Sequence, residues 1–195
     1  MEKILKKSLL APSKFPSFPT LEGLKFNAVS CGIKKNNKLD LMLVIMDIGT
    51  SSASVITKSY TVAAPIKWIK NIRKYSSARA LLVNSGNANA FTGKIGFNNV
   101  KLIVNDLSSL LTCSYKEIYI ASTGVIGEQL PVNKILKSIP EMYQNLSKKT
   151  KNWKNLADAI CTTDTFSKGS VKYCKIHGKK IKIIGIAKGS GMIAP

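Results

Sequence analysis

Three times along this chain, a short apolar run ends in a loop of small polar residues and glycine. The loops occupy residues 84–93, 122–127 and 188–191, where the sequence reads NSGNANAFTG, STGVIG and KGSG. A fourth polar segment, TTDT at residues 162–165, follows a helical pattern instead. Glycine lets another group approach the backbone closely, so such loops can aim backbone N–H groups at a ligand. Any one loop is also explained as a tight connection, but four in one chain favour a ligand site.

Alternating apolar residues predict two hairpins and several shorter strands. The hairpin strands are predicted at residues 26–33 with 39–46, and at residues 171–176 with 180–187. The turn signals between them are KKNN in the first hairpin and His177-Gly178 in the second. Further short strands are predicted at residues 53–57, 60–62, 80–83 and 117–121.

Four segments show the apolar spacing of amphipathic helices: residues 65–74, 97–111, 132–146 and 153–160. Proline suits the first turn of a helix, which favours a start near Pro65. In the third segment, Pro140 is expected to break the helix. Because strands and helices mix along the whole chain, the sequence predicts a layered fold of the α/β or α+β class.

The first 22 residues differ from the rest of the chain. Residues 1–22 contain Pro12, Pro16 and Pro19 without a periodic pattern, and we predict an extended lead-in. Residues 23–195 show neither a repeat nor a linker, so they are predicted to belong to one domain. The sequence stops directly after an apolar strand and a glycine-rich loop, where a natural domain rarely ends. We therefore expect another polypeptide to complete the core.

The chain is strongly basic, with a formal charge of +20 from 30 lysines and arginines against 10 acidic residues. Only Arg73 and Arg79 are arginines, and the lysines are spread along the whole sequence. Proteins that read nucleic acids usually carry more arginine, because its guanidinium group pairs with phosphates and guanine edges bidentately. The charge is therefore a weak indication of nucleic acid. A lysine-rich composition or an acidic partner chain explains it as well.

Cysteines and the single histidine, His177, exclude several kinds of site. The cysteines at positions 31, 113, 161 and 174 form no C-x-x-C pair, which argues against a zinc site. No apolar run reaches the ~18 residues of a membrane helix, and the N-terminal residues lack the apolar core of a secretory signal. Scattered cysteines in such a chain indicate buried thiols in a reducing compartment, so we expect a cytoplasmic location.

Known phosphate-binding motifs do not fit, and one tripeptide remains as a candidate for chemistry. The spacing from Gly86 to Gly93 is too long for a phosphate loop, and no G-x-G-x-x-G follows a strand. Ser122-Thr123-Gly124 could form an oxyanion hole, because a threonine hydroxyl and a glycine N–H can point at one developing negative charge. A nucleophile beside it is missing, since one histidine leaves little material for a Ser-His-Asp triad.

Four longer segments together resemble the N-terminal (α) part of glutamate N-acetyltransferase, also called ornithine acetyltransferase, a family of arginine biosynthesis. They are VNSGNANAFTG (83–93), ASTGVIGEQLP (121–131), AICTTDTFSK (159–168) and GIAKGSGMIAP (185–195). Four long motifs in the family's order are far more specific than any single glycine loop.

The resemblance implies an αββα sandwich, as in self-processing aminopeptidases, and a precursor that cleaves itself before a threonine. That threonine becomes the N-terminus of a separate β chain and the nucleophile. The present sequence would then be the α chain of an α2β2 assembly. The resemblance also implies no resident cofactor and no metal, and it leaves open whether acetyl-CoA serves as a further acetyl donor.

Carried over residue by residue, the resemblance places Thr123 and Gly124 in the oxyanion hole and Thr162 and Lys188 in substrate binding. The β-chain threonine would take acetyl from N-acetylornithine and pass it to glutamate. Activation of this threonine by its own α-amine, with a pKa of about 7.7–8.0, would explain why no histidine is needed. A lysine such as Lys188 can pair with the α-carboxylate of an amino-acid substrate. Without the resemblance, Thr162 is equally explained as a helix-end residue and Lys188 as a solvated lysine.

Two alternatives stay open. A self-processed aminopeptidase or amidase would use the same oxyanion hole, with water in place of glutamate as the acyl acceptor. A basic nucleic-acid-binding module without catalysis would explain the charge, and its binding would weaken steeply with salt. We expect the acetyltransferase, with small-molecule substrates and neither a nucleic-acid nor a membrane partner.

Overall fold

Six β-strands and four α-helices form the part of the chain that the computed structural model describes, residues 7–9, 11–149 and 152–189. The strands are β1 (Leu24–Val29), β2 (Leu41–Met46), β3 (Ala80–Asn87), β4 (Ile118–Val125), β5 (Lys168–Ile176) and β6 (Lys179–Ala187). The helices are α1 (Ala64–Ile72), α2 (Gly93–Leu111), α3 (Val132–Gln144) and α4 (Trp153–Ile160). This mixture confirms the predicted layered α/β class.

Strands β1 to β4 form one sheet in the order β1-β2-β3-β4. The first two pairs are antiparallel, whereas β3 and β4 run parallel. Leu41 at the start of β2 faces Asn84 of β3, and Asn84 faces Ser122 of β4. The start of β2 and the carboxyl ends of β3 and β4 therefore lie at the same end of the sheet, together with the polar loops that follow them.

Helices α1, α2 and α3 cover one face of this sheet. Their apolar sides pack on alternate strand residues that are fully buried, among them Leu41, Leu43, Leu82 and Ile118. The indole N–H of Trp68 in α1 donates a hydrogen bond of 2.8 Å to the Ile118 carbonyl, which satisfies its polar atom inside the core. Burial of each such leucine or isoleucine contributes about 1.5–3 kcal/mol.

Helix α4 and the β5–β6 hairpin cover the opposite face. Trp153 of α4 lies between aromatic rings, with centroid distances of 4.7 Å to Phe26 and 5.4 Å to Phe18. Val171 of β5 and Ile184 of β6 pack against the same cluster. The layers are thus α1–α3, the four-stranded sheet, and α4 with a second, two-stranded sheet.

The segment before β1 packs into the cluster around Trp153, although residues 11–22 form neither a helix nor a strand. Phe18 from this segment is only 4% exposed. The domain boundary after residue 22 stays a prediction.

Both predicted hairpins are confirmed, as β1–β2 and β5–β6. His177 and Gly178 form the second turn with positive φ angles of 47° and 77°. All four predicted helices are present, and α4 has the predicted bounds. The predicted loops after residues 83 and 121 begin later, because β3 continues to Asn87 and β4 to Val125.

The short strands predicted at residues 53–57 and 60–62 are wrong. This part of the chain connects the end of β2 to the start of α1, which lies at the other end of the sheet. There the Ala64 N–H donates to the Asn89 carbonyl at 3.0 Å, beyond the carboxyl end of β3. Val55 and Tyr60 are fully exposed. Valine, threonine and tyrosine produce a strand pattern, but a strand forms only where its side chains fit against a neighbouring strand.

The predicted break at Pro140 is also wrong, because α3 continues through it from Val132 to Gln144. Proline removes one helical hydrogen bond. Ile139 and Met142, on either side, are fully buried against the sheet. Tertiary packing of this kind supplies most of the stability of a helix in a protein and here outweighs the lost bond.

No helix within the described ranges has both the length and the apolar character required to cross a lipid bilayer.

Trp153→Ala should lower the free energy of unfolding by about 3–5 kcal/mol, because it leaves a cavity between Phe18 and Phe26. Urea unfolding of the full-length protein measures this loss. Tyr60→Ala is the matched control, since Tyr60 is fully exposed and should change the value by no more than about 0.5 kcal/mol. Equal effects of the two substitutions would contradict the packing of α4 described above.

Candidate active site

Strands β3 and β4 meet in backbone contact at Gly86 and Gly124. A Cβ added to Gly124 would lie 2.3 Å from the Gly86 carbonyl carbon and 2.5 Å from the Asn87 nitrogen. Its φ of +137° is a conformation that side chains other than glycine's rarely adopt. A Cβ on Gly86 would lie 2.9 Å from the Ile33 side chain. The two glycines therefore allow three segments to converge at one point.

A pocket of about 640 Å³ opens at this point. Thr123 and Gly124 of β4 line it together with Thr162, which follows α4, and Lys188, which follows β6. The structure thus brings all four predicted site residues together from three separate segments. The volume lies in the range of about 300–1,000 Å³ that is typical of small-molecule pockets.

The Lys188 ammonium group contacts the Thr123 hydroxyl directly. Lys188 Nζ donates a hydrogen bond of 3.0 Å to Thr123 Oγ1. Because the hydroxyl oxygen accepts this bond, its own proton can be donated to another atom in the pocket. Among the described residues, strand β4 is also the edge of the four-stranded sheet, and an edge strand carries N–H groups that no neighbouring strand pairs. A polarised hydroxyl beside such an edge is suited to stabilise a negatively charged oxygen.

Thr162 and the Lys188 segment are both bonded to one buried carboxylate, that of Asp164. The Thr162 N–H donates to Oδ2 at 3.1 Å, and the Gly189 N–H donates to Oδ1 at 2.7 Å. Lys168 Nζ donates to the same Oδ1 at 2.9 Å. Burial by itself raises the pKa of Asp164, but the Gly189 N–H, Lys168 and the Thr162 N–H outweigh it, and the pKa lies below its ordinary value. Sequence reasoning named the TTDT segment without its aspartate.

Asp40 is a second buried carboxylate that sequence reasoning missed, and it shapes the wall formed by the loop after β1. It accepts hydrogen bonds from the backbone N–H groups of Cys31, Ile33 and Lys34, at 2.7, 2.7 and 2.8 Å. Burial and the charge of Asp40 together raise the pKa of the Cys31 thiol to about 12. A single acidic residue before a strand is a weak sequence signal, since its partners are backbone groups without residue preference.

Asparagine side chains hold the loop after β3 by hydrogen bonds to backbone atoms. Asn84 Nδ2 donates to the Asn87 carbonyl at 2.9 Å, and Asn89 Nδ2 donates to the Gly96 carbonyl at 3.0 Å. Asn87 Nδ2 donates to the Glu128 carbonyl at 3.1 Å, which connects this loop with the one after β4. All three asparagines are almost completely buried.

Two serines connect the strand ends with their surroundings. Ser122 Oγ donates to Asn84 Oδ1 at 2.6 Å, so this hydroxyl of the Ser-Thr-Gly tripeptide belongs to the buried network. Ser85 Oγ donates to the Ala159 carbonyl at the end of α4. The segment that carries Thr162 is therefore bonded to β3.

The pocket is positively charged. Lys34, Lys35, Lys38 and Lys188 lie among its described lining residues, which include no carboxylate. Burial lowers the pKa of Lys34, although the charge of Asp40 opposes this shift. Lys34 Nζ donates to the Leu39 carbonyl at 2.8 Å. Lys34, Lys35 and Lys38 lie in or next to the segment KKNN, for which the sequence predicts only a turn.

Across residues 7–9, 11–149 and 152–189, no group of three or more histidine, cysteine, aspartate or glutamate side chains could hold a metal ion. The four cysteines are free and partly buried. Of the KGSG loop, residues 190 and 191 lie outside the described residues, as does the rest of the GIAKGSGMIAP motif after residue 189.

Comparison with curated proteins identifies relatives along the whole chain. The chain is 42% identical over 195 residues to the "Arginine biosynthesis bifunctional protein ArgJ" of Gluconobacter oxydans, covering 100% of this chain and 45% of that protein. It is 42% identical over 188 residues to the protein of the same name from Bradyrhizobium diazoefficiens, covering 96% of this chain and 45% of that protein. The chain therefore spans about half the length of the curated relatives it matches.

Solved structures show the same fold. A crystal structure of arginine biosynthesis bifunctional protein ArgJ from Bacillus halodurans matches with a TM-score of 0.82 and 32% identity, over 89% of this chain and 90% of that chain. Ornithine acetyltransferase from Mycobacterium tuberculosis, solved in complex with ornithine, matches with a TM-score of 0.82 and 31% identity, over 89% of this chain and 92% of that chain. A sequence model of the ArgJ family matches residues 25–195. On the strength of this match and of the relatives' identity, the chain belongs to the ArgJ family.

Proposed function

We propose that this chain forms the N-terminal (α) part of an acetyltransferase that moves acetyl from N-acetylornithine to glutamate. A separate β chain of the same precursor, paired as α2β2, supplies the nucleophilic threonine. The names of its relatives, which include an ornithine acetyltransferase, support this reaction. The observation that carries the proposal is the contact of Lys188 with Thr123 inside a pocket that also contains Gly124 and Thr162.

Thr123 and Gly124 form the oxyanion hole in this proposal. When the nucleophilic threonine attacks the acetyl carbonyl, the carbonyl oxygen becomes negatively charged. The Thr123 hydroxyl and the Gly124 N–H donate hydrogen bonds to it, and Lys188 Nζ strengthens the hydroxyl as a donor by bonding to its oxygen. The backbone contact between Gly86 and Gly124 holds this donor in place before the reaction.

Thr162 and Lys188 bind the amino-acid portion of the substrate. Both substrates carry an α-carboxylate, and the four lysines of the pocket provide the complementary charge. The acetyl group leaves N-acetylornithine as a threonine ester, and ornithine is released with the proton from the threonine hydroxyl. Glutamate then attacks the ester through its α-amine; the ester C–O bond breaks, a proton from the amine returns to the threonine oxygen, and N-acetylglutamate is released. No resident cofactor takes part, and acetyl-CoA is a candidate second donor.

The second chain also accounts for apolar side chains that the described residues leave exposed. Val125 and Ile126, at the rim of the pocket, are 48% and 63% exposed. Tyr173 and Ile183 of the β5–β6 hairpin are each 52% exposed. Burial of such residues against the β chain would stabilise the assembly.

Full-length protein incubated with acetyl-labelled N-acetylornithine and glutamate should yield labelled N-acetylglutamate and ornithine, with an acetylated threonine in the second part detected by mass spectrometry. Labelled acetate in place of N-acetylglutamate would instead support the amidase alternative. A parallel reaction with acetyl-CoA as donor decides whether the enzyme has a second activity. Absence of any acetyl transfer would overturn the proposal.

Thr123→Ala should lower kcat by about 10²–10³, because it removes one oxyanion donor. Thr123→Ser is the matched control and should keep most of the activity, because it retains the hydroxyl group. Steady-state kinetics of both variants, with circular dichroism to check their folding, provide the measurement. A wild-type kcat in Thr123→Ala would exclude the hydroxyl from the oxyanion hole.

Lys188→Ala should raise KM for N-acetylornithine about tenfold or more, since it removes a charge-assisted hydrogen bond to the substrate carboxylate. It should also lower kcat, because Lys188 contacts Thr123. Lys180→Ala is the control: Lys180 lies on β6 over the Tyr173 ring, away from the pocket. An unchanged KM in Lys188→Ala would count against the substrate-binding role.

A further inference from the structure

We propose that Asp164 is a positioning residue that holds the Thr162 and Lys188 segments in the geometry needed to bind substrate. The inference rests on the proposed function, because it concerns the same pocket. Asp164 itself is not among the pocket's lining residues, so it acts through its two neighbours.

The carboxylate of Asp164 is built into the structure by three donors from three positions. Its side chain is only 1% exposed. It accepts hydrogen bonds from the Thr162 N–H, the Gly189 N–H and Lys168 Nζ, at 3.1, 2.7 and 2.9 Å. Lys168 balances the negative charge of the Asp164 carboxylate. The two bonds from the Thr162 and Gly189 N–H groups fix the backbone at these two residues.

These bonds connect both substrate-binding residues. Thr162 is one of these residues, and its own N–H donates to Asp164. Lys188 is the other, and the residue after it, Gly189, donates to Asp164. Fixing the Gly189 nitrogen restricts the backbone from which Lys188 extends to Thr123 Oγ1, 3.0 Å from its Nζ. The β5–β6 hairpin ends at Ala187, so Asp164 provides the next anchor along the chain.

The position of Asp164 is itself set by the sheet. Ser85 at the end of β3 donates a hydrogen bond to the Ala159 carbonyl near the end of α4. Residues 161–164 follow directly from this anchored helix end. A continuous set of bonds therefore runs from β3 through Asp164 to the segment that carries Lys188.

Asparagine at this position would keep the size of the side chain but not its bonding. It has one acceptor oxygen, whereas the carboxylate has two, and its NH₂ group would face a donor. Asp164→Asn therefore releases at least one of the two backbone segments while leaving the packing volume unchanged.

Asp158→Asn is the matched control. Asp158 also lies in this region and also binds a lysine, with Lys154 Nζ 2.7 Å from Oδ2, and a serine, Ser167. It is bonded to neither Thr162 nor Gly189, and it does not line the pocket. Loss of a negative charge or of local stability would affect both variants, whereas loss of positioning affects Asp164→Asn alone.

In the full-length processed enzyme, Asp164→Asn should raise KM for N-acetylornithine about tenfold, the effect of losing one hydrogen bond to a charged group. The kcat should fall by a smaller factor, and Asp158→Asn should leave both constants within about twofold of wild type. An unchanged KM in Asp164→Asn, or equal increases in the two variants, would overturn the proposal.

A double substitution separates positioning from general destabilisation. If Asp164 acts through Lys188, the increase in KM from Asp164→Asn should shrink at least threefold in the Lys188→Ala background, because coupled residues are non-additive. Full additivity of the two effects would show that Asp164 does not act through Lys188.

Hydrogen exchange tests the connection without relying on activity. The Gly189 and Thr162 amides should lose protection in Asp164→Asn and keep it in Asp158→Asn, as followed by mass spectrometry of full-length protein. Unchanged protection would refute the bonding of Asp164 to these two segments, and this outcome can be read even if the protein shows no acetyl transfer.

Should Asp164→Asn not fold, two variants of the exposed Gly189 replace it. Gly189→Pro removes the N–H donor, and Gly189→Ala retains it. The proline variant should then raise KM at least three times as much as the alanine variant, and equal values would overturn the proposal.

Discussion

The contact between the backbones of Gly86 and Gly124 is the constraint on which the pocket depends. It allows two parallel strands to approach until no side chain fits between them, and it sets the position of Thr123 on β4. The asparagine network closes around this contact from the buried side. Thr123 and Gly124 are therefore held by paired strands rather than by a free loop, which suits preorganised hydrogen-bond donors.

Two carboxylates of this molecule are buried, whereas lysines line its pocket. The two buried carboxylates, Asp40 and Asp164, accept hydrogen bonds mainly from backbone N–H groups and so organise loops. The charged side chains in the described lining of the pocket are all lysines. The buried carboxylates and the lysines of the pocket are therefore close to one another, yet each carboxylate is already satisfied by its own donors.

The sequence predicts elements better than it predicts the contacts between them. Apolar spacing located α4 and both hairpins, because periodicity is a local property of the chain. It failed at residues 53–57, where a strand pattern exists without a neighbouring strand, and at Pro140, where packing outweighs a local signal. The residue types alone indicate Ser122-Thr123-Gly124 as a candidate oxyanion hole, whereas Thr162 and Lys188 were assigned through a family resemblance. Asp164 was missed because its bond to Gly189 joins residues 25 positions apart and leaves no periodic trace.

The tight turn of the β5–β6 hairpin has a consequence for how this protein can vary. His177 and Gly178 join strands paired in unbroken register from Lys168 opposite Ala187 to Ile176 opposite Lys179. Inserting or deleting a single residue in either strand would turn the following side chains to the other face of the ribbon. Lys188 would then point away from Thr123. The β5–β6 hairpin should therefore tolerate only insertions and deletions that preserve the strand pairing, even though much of its surface faces solvent.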